Sequence, residues 1–244
     1  MRPVNVFFLT FIILTTFSSS VSSQNQIISS FGKAKKLLQE KIYFDHRKSL
    51  YCDANFSEVR FVEFPIGFIS NNHIKRSKKI EWEHVVPAEN FGKLFSEWTR
   101  GHFKCLTRNG SPYKGRRCAE KMNENFKYMA ADMYNLFPAI GSVNALRSNY
   151  NFEMLDVNIK SDFGSCDMRI DNKKAQPPEQ ARGRIARAYL YMEHTYRQYE
   201  MPTSQRNLMN SWNNQYPVSV WECVRANRIK EIQGNSHVIY EKIC

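Results

Sequence analysis

The chain predicts a helix-rich α+β domain with a small antiparallel sheet near its middle. Two observations carry this reading. Apolar residues recur every three or four positions through much of the second half of the sequence, and two short stretches between residues 59 and 86 alternate side chain by side chain. Between these regions, residues 96–118 hold Gly101, Gly110, Pro112 and Gly115 and follow neither period.

The N-terminus stands apart from the domain. Arg2 precedes an apolar run over residues 6–14, and small residues follow from Ser18 to Ser23. This is the charged, apolar and cleavable layout of a secretory signal, with cleavage expected after Ser23. The run is too short for a membrane span, which needs about 20 apolar residues, and no later segment approaches that length. Residues 24–244 show no repeat, low-complexity tract or linker, and read as a single domain.

Ser29 or Ser30 caps a first helix in which Ala34, Leu37, Leu38 and Ile42 share a face. Val59, Phe61 and Glu63 then alternate with Arg60, Val62 and Phe64 until Pro65 ends a strand. Ile80, Trp82, His84 and Val86 alternate with Glu81, Glu83 and Val85 in a second strand. Residues 96–118 form a long basic loop pinned by Cys105 and Cys118. Met122, Phe126, Met129 and Met133 lie on one helical face and belong to the core. Beyond Pro138 and Gly141, Ser142 caps a helix with Asn144 in its first turns. Pro177 and Pro178 precede a longer helix bearing Ile185, Tyr189, Met192 and Tyr196; Pro202 and Thr203 introduce another bearing Leu208, Trp212 and Tyr216. Ser219 and Glu222 have capping-box spacing and begin a last helix that stops near Gly234.

The chain has 35 Lys and Arg against 23 Asp and Glu, a formal charge of +12. Positive residues cluster at Lys33, Lys35 and Lys36, at Arg47 and Lys48, at 75–79, at Lys114, Arg116 and Arg117, and at Arg182, Arg184 and Arg187. Any one cluster is an ordinary solvated face, but together they imply a polyanionic partner. Nucleic acid fits better than an anionic membrane, because no long basic amphipathic helix with a lipid-facing side is present.

Six cysteines in an exported chain read as disulfides. Zinc is the rival, but no Cys-x-x-Cys or His-x-x-x-His spacing supports it. Six cysteines permit fifteen pairings. Short loops favour Cys105 with Cys118 and Cys223 with Cys244, which leaves Cys52 with Cys166.

Two stretches carry chemistry. Glu81-Trp82-Glu83-His84-Val85-Val86-Pro87 sets a carboxylate beside an imidazole in an apolar strand. A hard-cation ligand next to a group that titrates near neutrality suits metal-assisted hydrolysis, although a solvated charge beside a structural histidine is the commoner meaning of such a dipeptide. The second stretch, residues 132–150, contains Asn135 and Asn144 around Pro138-Ala139-Ile140-Gly141-Ser142. Together with residues 81–92 it closely resembles the bacterial endonuclease I family of periplasmic and secreted non-specific nucleases. The resemblance continues through residues 164–167, residues 177–191 with Ala181-Arg182-Gly183-Arg184-Ile185-Ala186-Arg187, and residues 212–222.

The resemblance implies a ββα-metal (His-Me finger) motif, in which two strands and a helix gather a catalytic histidine and metal ligands. By that resemblance His84 is the general base, Glu83 a metal ligand and Asn144 the second ligand. Asn135, nine residues earlier, is assigned to holding the loop. Arg116, with Arg117 as the alternative, stabilises the scissile phosphate. One Mg²⁺ is the implied cofactor, for which Mn²⁺ or Ca²⁺ can substitute. The implied substrate is double-stranded DNA, with RNA second, cut to 5′-phosphate products by a monomeric enzyme in the periplasm or outside the cell.

The family pattern has eight cysteines. Here the pair near Cys52 and in the loop before the Glu-Trp-Glu-His strand is missing, so residues 53–75 lack that staple. Neighbouring strand residues point to opposite faces, so Glu83 and His84 can share a site only if the strand bends or ends there. Two rivals account for less of the chain. A secreted basic nucleic-acid-binding module without catalysis explains the charge and the cysteines but not the spacing of Glu83, His84 and Asn144. A metal-independent ribonuclease needs paired histidines, and His46, His73, His102, His194 and His237 show no such arrangement.

Overall fold

The computed structural model describes residues 24–244, and the expected signal segment, residues 1–23, lies outside the described residues. The central framework is a two-stranded antiparallel ladder. Strand β1 (Ile80–His84) pairs with β2 (Leu136–Ile140) in a register running from Ile80 opposite Ile140 to His84 opposite Leu136. Helix α4 (Gly141–Arg147) leaves β2 with no intervening turn and packs on both strands. Two further small sheets flank this unit. One joins Asn55–Phe56 to Val62–Glu63, and the other has three strands, Asn151–Phe152, Lys174–Gln176 and Arg169–Asp171, with one parallel pair.

The observed sheets correct the strand expectations. β2 was not anticipated, because Pro138 reads as a break. In the fold Pro138 sits opposite Trp82, and its carbonyl accepts from the Leu50 amide at 2.7 Å on the side away from β1. A proline is tolerated where its absent N–H faces away from the ladder. The stretch 59–64 yields only Val62–Glu63 as strand, because Val59, Phe61 and Phe64 are all largely exposed and no buried face fixes a longer pairing. Its backbone still runs beside the start of β1, with Val62 N–H donating to Lys78 and Ile80 N–H to Arg60.

Segment 53–75 is held without the missing staple by its approach to residues 163–166. Phe68 stacks on Phe163, Ser165 N–H donates to the Gly67 carbonyl, and Cys52 is bridged to Cys166. Gly164 has φ +60, and a Cβ there would lie 2.2 Å from the Gly67 oxygen, so only glycine permits this contact. The other disulfides join Cys105 to Cys118 and Cys223 to Cys244.

Ser30 caps helix α1 (Phe31–Leu37) by accepting from Lys33 N–H, and a π-turn over Leu38–Ile42 carries Leu38 and Ile42 into the core. The expected loop at 96–118 contains a short helix, Ser96–Thr99, and ends early, since Arg116 opens helix α2 (Arg116–Met122). The helix expected around Met122 is broken at Asn123, whose side chain caps α3 (Glu124–Ala130) through Phe126 N–H. Phe126, Met129 and Met133 are buried as expected, while Met122 is only half-buried. Ser142 does not cap α4. The N-cap is Ile140, and Ser142 is buried one residue inside the helix.

Helices α5 (Glu179–Thr195) and α6 (Thr203–Gln215) form the most extensive helix pair, each entered through a proline at the N-cap. Tyr196 and Tyr216 lie just beyond the ends of these two helices. Helix α7 (Val220–Gln233) has the reciprocal Ser219–Glu222 capping box and ends at Gly234 with φ 76. It is not the last helix. Val238–Ile243 forms another, capped by His237, and Cys244 ties it back to α7.

Polar side chains lock these helices to the turn that precedes β2. Buried Asp132 accepts from the hydroxyls of Tyr191 at 2.7 Å and Tyr196 at 2.6 Å, from Gln233 Nε2 at 2.9 Å and from Tyr134 N–H at 3.0 Å. Asp132→Ala would strand these buried donors. The expected loss is about 3 kcal/mol or more, lowering Tm by roughly 6–12 °C in calorimetry. Buried His237 offers a pH test. Burial, reinforced by the charges of Arg225 and Arg187, pulls its pKa down to about 3. The unfolded histidine, near 6.5, therefore binds its proton first as pH falls. Stability from this group is complete above pH 6.5 and lost between 6.5 and 3, at about 1.4 kcal/mol per pH unit. Denaturant unfolding at pH 7 and pH 4.5 should show this acid loss, and His237→Phe should reduce it.

Candidate active site

The strand pair and α4 open onto a cleft of about 640 Å³ whose walls include Glu81, Glu83, His84, Asn144 and Arg116. Four of the residues singled out in the sequence, Glu83, His84, Asn144 and Arg116, thus meet at one place. Arg117 does not line the cleft; it lies over the Tyr113 ring at 5.0 Å. Asn135 lies behind the site at the end of a 3-10 turn, Met133–Asn135. Its amide bridges the segment after β1, accepting from Val86 N–H at 2.7 Å and donating to the Val86 carbonyl at 3.0 Å.

Glu83 and His84 both line the cleft, although neighbouring strand residues point to opposite faces. Pairing with β2 is regular through His84, so the break falls after the pair rather than between its members. Arg147, the last residue of α4, explains the ending. Its guanidinium donates to the carbonyls of His84 at 2.8 Å and Val85 at 2.6 Å, two successive carbonyls that a regular strand would point to opposite sides. The same Nη1 bonds Glu83 Oε1 at 2.5 Å, and Nε bonds the Tyr150 carbonyl.

Glu83 is 4 % exposed and ionic with a fully buried partner. Burial raises its carboxyl above the ordinary range, against the lowering effects of the Arg147 charge and the Tyr51 hydrogen bond. The Tyr51 hydroxyl donates at 2.8 Å to Oε1, the oxygen that Arg147 already holds. Oε2 accepts no hydrogen bond among the described residues. One oxygen is anchored in protein and the other is left as a donor to a cation.

His84 Nε2 lies 2.8 Å from the Ala130 carbonyl. A carbonyl only accepts, so Nε2 carries the hydrogen and Nδ1 keeps its lone pair. Burial, then the charge of Arg116, lowers the pKa to about 3. The ring is therefore neutral at physiological pH, and Phe31 packs against it at 4.8 Å.

Asn144 is oriented by a relay that the sequence did not reveal. Its Nδ2 donates to Glu81 Oε2 at 2.7 Å, and Arg76 pairs with both oxygens of Glu81. With the amide nitrogen engaged, Oδ1 is the atom available to a ligand. Burial acts to raise the Glu81 carboxyl, but the bonds from Arg76 and Asn144 outweigh it and leave the pKa below the ordinary value. A Cβ at Gly141 would fall 2.4 Å from the Arg76 carbonyl and 2.9 Å from Glu81 Oε1, so glycine is what lets the start of α4 approach this relay.

Arg116 stands at the first turn of α2, its guanidinium 5.1 Å from the Phe31 ring centroid. Glu120 takes Nε at 2.7 Å, and both Nη groups are without a partner among the described residues. Among the described residues no three His, Cys, Asp or Glu side chains gather as a metal cage. The donors on offer are one carboxylate oxygen and one amide oxygen at an open cleft. That set suits a hard cation that retains waters, and does not suit zinc.

Tyr51, Arg76, Glu81 and Arg147 were not singled out in the sequence. Glu81 and Arg147 stood inside the informative stretches, but their partners are brought close only by the fold.

The Endonuclease I family profile matches residues 33–238. An extracellular deoxyribonuclease of Aeromonas hydrophila is 40% identical over 225 residues, 89% of this chain and 90% of that protein. A periplasmic deoxyribonuclease of the same species is 38% identical over 252 residues, 100% and 99% of the two chains. Endonuclease-1 of Buchnera aphidicola subsp. Baizongia pistaciae is 33% identical over 247 residues, 98% of this chain and 94% of that one. A profile match across most of the chain and relatives of near-equal length leave one assignment: the chain belongs to the endonuclease I family.

Proposed function

We propose that this endonuclease hydrolyses phosphodiester bonds of double-stranded DNA, and of RNA as a second substrate, using a water activated by His84 and one Mg²⁺ held by Glu83 and Asn144. The β1–β2–α4 unit is read as a ββα-metal motif. The observation that carries the reading is the 2.8 Å contact of His84 Nε2 with the Ala130 carbonyl, from which the tautomer follows. Its Nε2–H is committed to Ala130, which leaves Nδ1 as a neutral base in the same cleft as Glu83 Oε2 and Asn144.

His84 takes a proton from the attacking water at Nδ1, and Ala130 holds the ring while the positive charge appears. Arg116 donates from its Nη groups to the non-bridging phosphate oxygens, an interaction that strengthens as charge builds there. Glu83 and Asn144 hold the cation by oxygen, with Arg147 and Glu81 fixing their orientation. When bound, Mg²⁺ supplies Lewis-acid polarisation of the phosphate and charge relief at the leaving 3′ oxygen, so that products carry 5′ phosphates. Mn²⁺ or Ca²⁺ can occupy the same oxygen set.

Lys35, Arg60, Arg76 and Arg116 line the cleft, which suits a sequence-tolerant grip on the phosphate backbone. The protein acts as a monomer after export to the periplasm or the medium. The disulfides and the names of the Aeromonas relatives support export. No helix among the described residues is long and apolar enough to cross a membrane.

Plasmid digestion tests the proposal. EDTA should abolish cleavage and added Mg²⁺ restore it, and His84→Ala should lower the rate by about 10²–10⁴-fold. Full activity in EDTA, or in His84→Ala or Glu83→Ala, overturns it. The Glu81 relay has its own signature. Glu81→Ala should raise the Mg²⁺ concentration for half-maximal cleavage by about 10–100-fold. Glu81→Gln, which keeps an acceptor oxygen for Asn144, should shift it less.

A further inference from the structure

We infer that the hairpin between Arg100 and Lys114 seats an unstacked nucleobase from a single-stranded segment flanking the scissile phosphate. This rests on reading the neighbouring cleft as the cleavage site. From Trp98 to Ala119 the chain carries six Arg or Lys and no Asp or Glu, a local excess of positive charge with no internal neutralisation. The segment is nevertheless well fixed. Thr107 N–H donates to Ser111 and Tyr113 N–H to Cys105, Cys105 is bridged to Cys118, and Lys121 Nζ bonds the Lys104 carbonyl at 2.6 Å.

On this rigid, basic frame the apolar side chains stay outside the core. Phe103 is 77 % exposed and Leu106 48 %. With Pro112 and Tyr113 they line a second pocket, of about 490 Å³, that Arg100 and Lys114 also border. That volume lies within the range of about 300–1,000 Å³ typical of small-molecule sites. The Phe103 ring meets the His102 imidazole at 4.4 Å and the Lys104 ammonium at 5.7 Å but is covered by no core residue, so in a concavity bordered by cations it offers stacking to a flat partner and charge to its phosphates. A base inside a duplex has both faces occupied by its neighbours. An unpaired base has a face to offer. A lipid surface fits less well, since these apolar groups line a concavity instead of forming a ridge that could enter a bilayer.

The pocket is continuous in chain with the cleft. Gly115 N–H donates to the Trp98 carbonyl at 2.9 Å, and Trp98 and Arg116 line the cleft while Arg100 and Lys114 line the pocket. One strand could therefore place a phosphate against Arg116 and a nearby base against Phe103.

The test is binding in EDTA, where the full oxidised protein holds nucleic acid without needing to cut it. A short single-stranded oligonucleotide carrying 2-aminopurine should be quenched on binding wild-type protein. Phe103→Ala, whose ring is too exposed to support the core, should lose the quench and bind the single strand about tenfold more weakly, the effect of one lost base–aromatic stack. Phe103→Trp should retain both. The loss on a duplex of equal length should be several-fold smaller. Absence of quenching with wild-type protein overturns the proposal, as do equal losses on single strand and duplex. So does a Phe103 dependence seen only with phosphatidylglycerol vesicles. None of these readouts requires cleavage, so a failure here is distinct from a failure of the proposed chemistry.

Discussion

The site is organised around a buried guanidinium. Removing an arginine and a glutamate from water costs several kcal/mol per ion, and a bare pair seldom recovers that cost. Arg147 does so by adding three backbone carbonyls to its bond with Glu83, and the arrangement fixes three things together. It ties down the two carbonyls at the end of β1, attaches the C-terminal end of α4 to the strand it packs on, and occupies one oxygen of Glu83 while leaving the other. Loss of the guanidinium would leave a buried carboxylate without its counter-charge and unpaired carbonyls at the strand end.

A division of labour follows within each side chain. Glu83 gives Oε1 to the protein, His84 gives Nε2, and Asn144 gives Nδ2. In every case the remaining heteroatom is the one suited to cation or proton. Rotamers are thereby fixed before any ligand arrives, which is what a site needs if its geometry is to be ready when charge develops.

Local features were legible in the sequence wherever a feature closes on itself. The Ser219–Glu222 capping box, the proline entries to α5 and α6, the strand through Glu83 and His84, and the pair Cys105–Cys118 all depend on residues no more than 13 positions apart. What escaped depends on partners far away. Pro138 looks like a terminator until it is seen that its N–H side faces Leu50 and not β1. Val59 and Phe61 alternate like strand residues although neither face is buried. The helix Val238–Ile243 is six residues long and is secured by Cys244 and His237 more than by its own periodicity. For the site, His84, Glu83, Asn144 and Arg116 could be named through the family resemblance. Tyr51, Arg76, Glu81 and Arg147 could not, because a carboxylate's buried partner leaves no mark on its own neighbourhood in the chain.

The cleft walls carry Lys35, Arg60, Arg76 and Arg116 against Glu81, Glu83 and Glu89. Glu83 and Glu81 are already balanced by Arg147 and Arg76, and Glu89 by Lys93. The cleft is thus a poor trap for a free cation and a good one for an anion. On the mechanism proposed above, a phosphodiester entering the cleft would bring the negative charge that these paired carboxylates lack, and substrate and metal would each act as a counter-ion for the other's arrival.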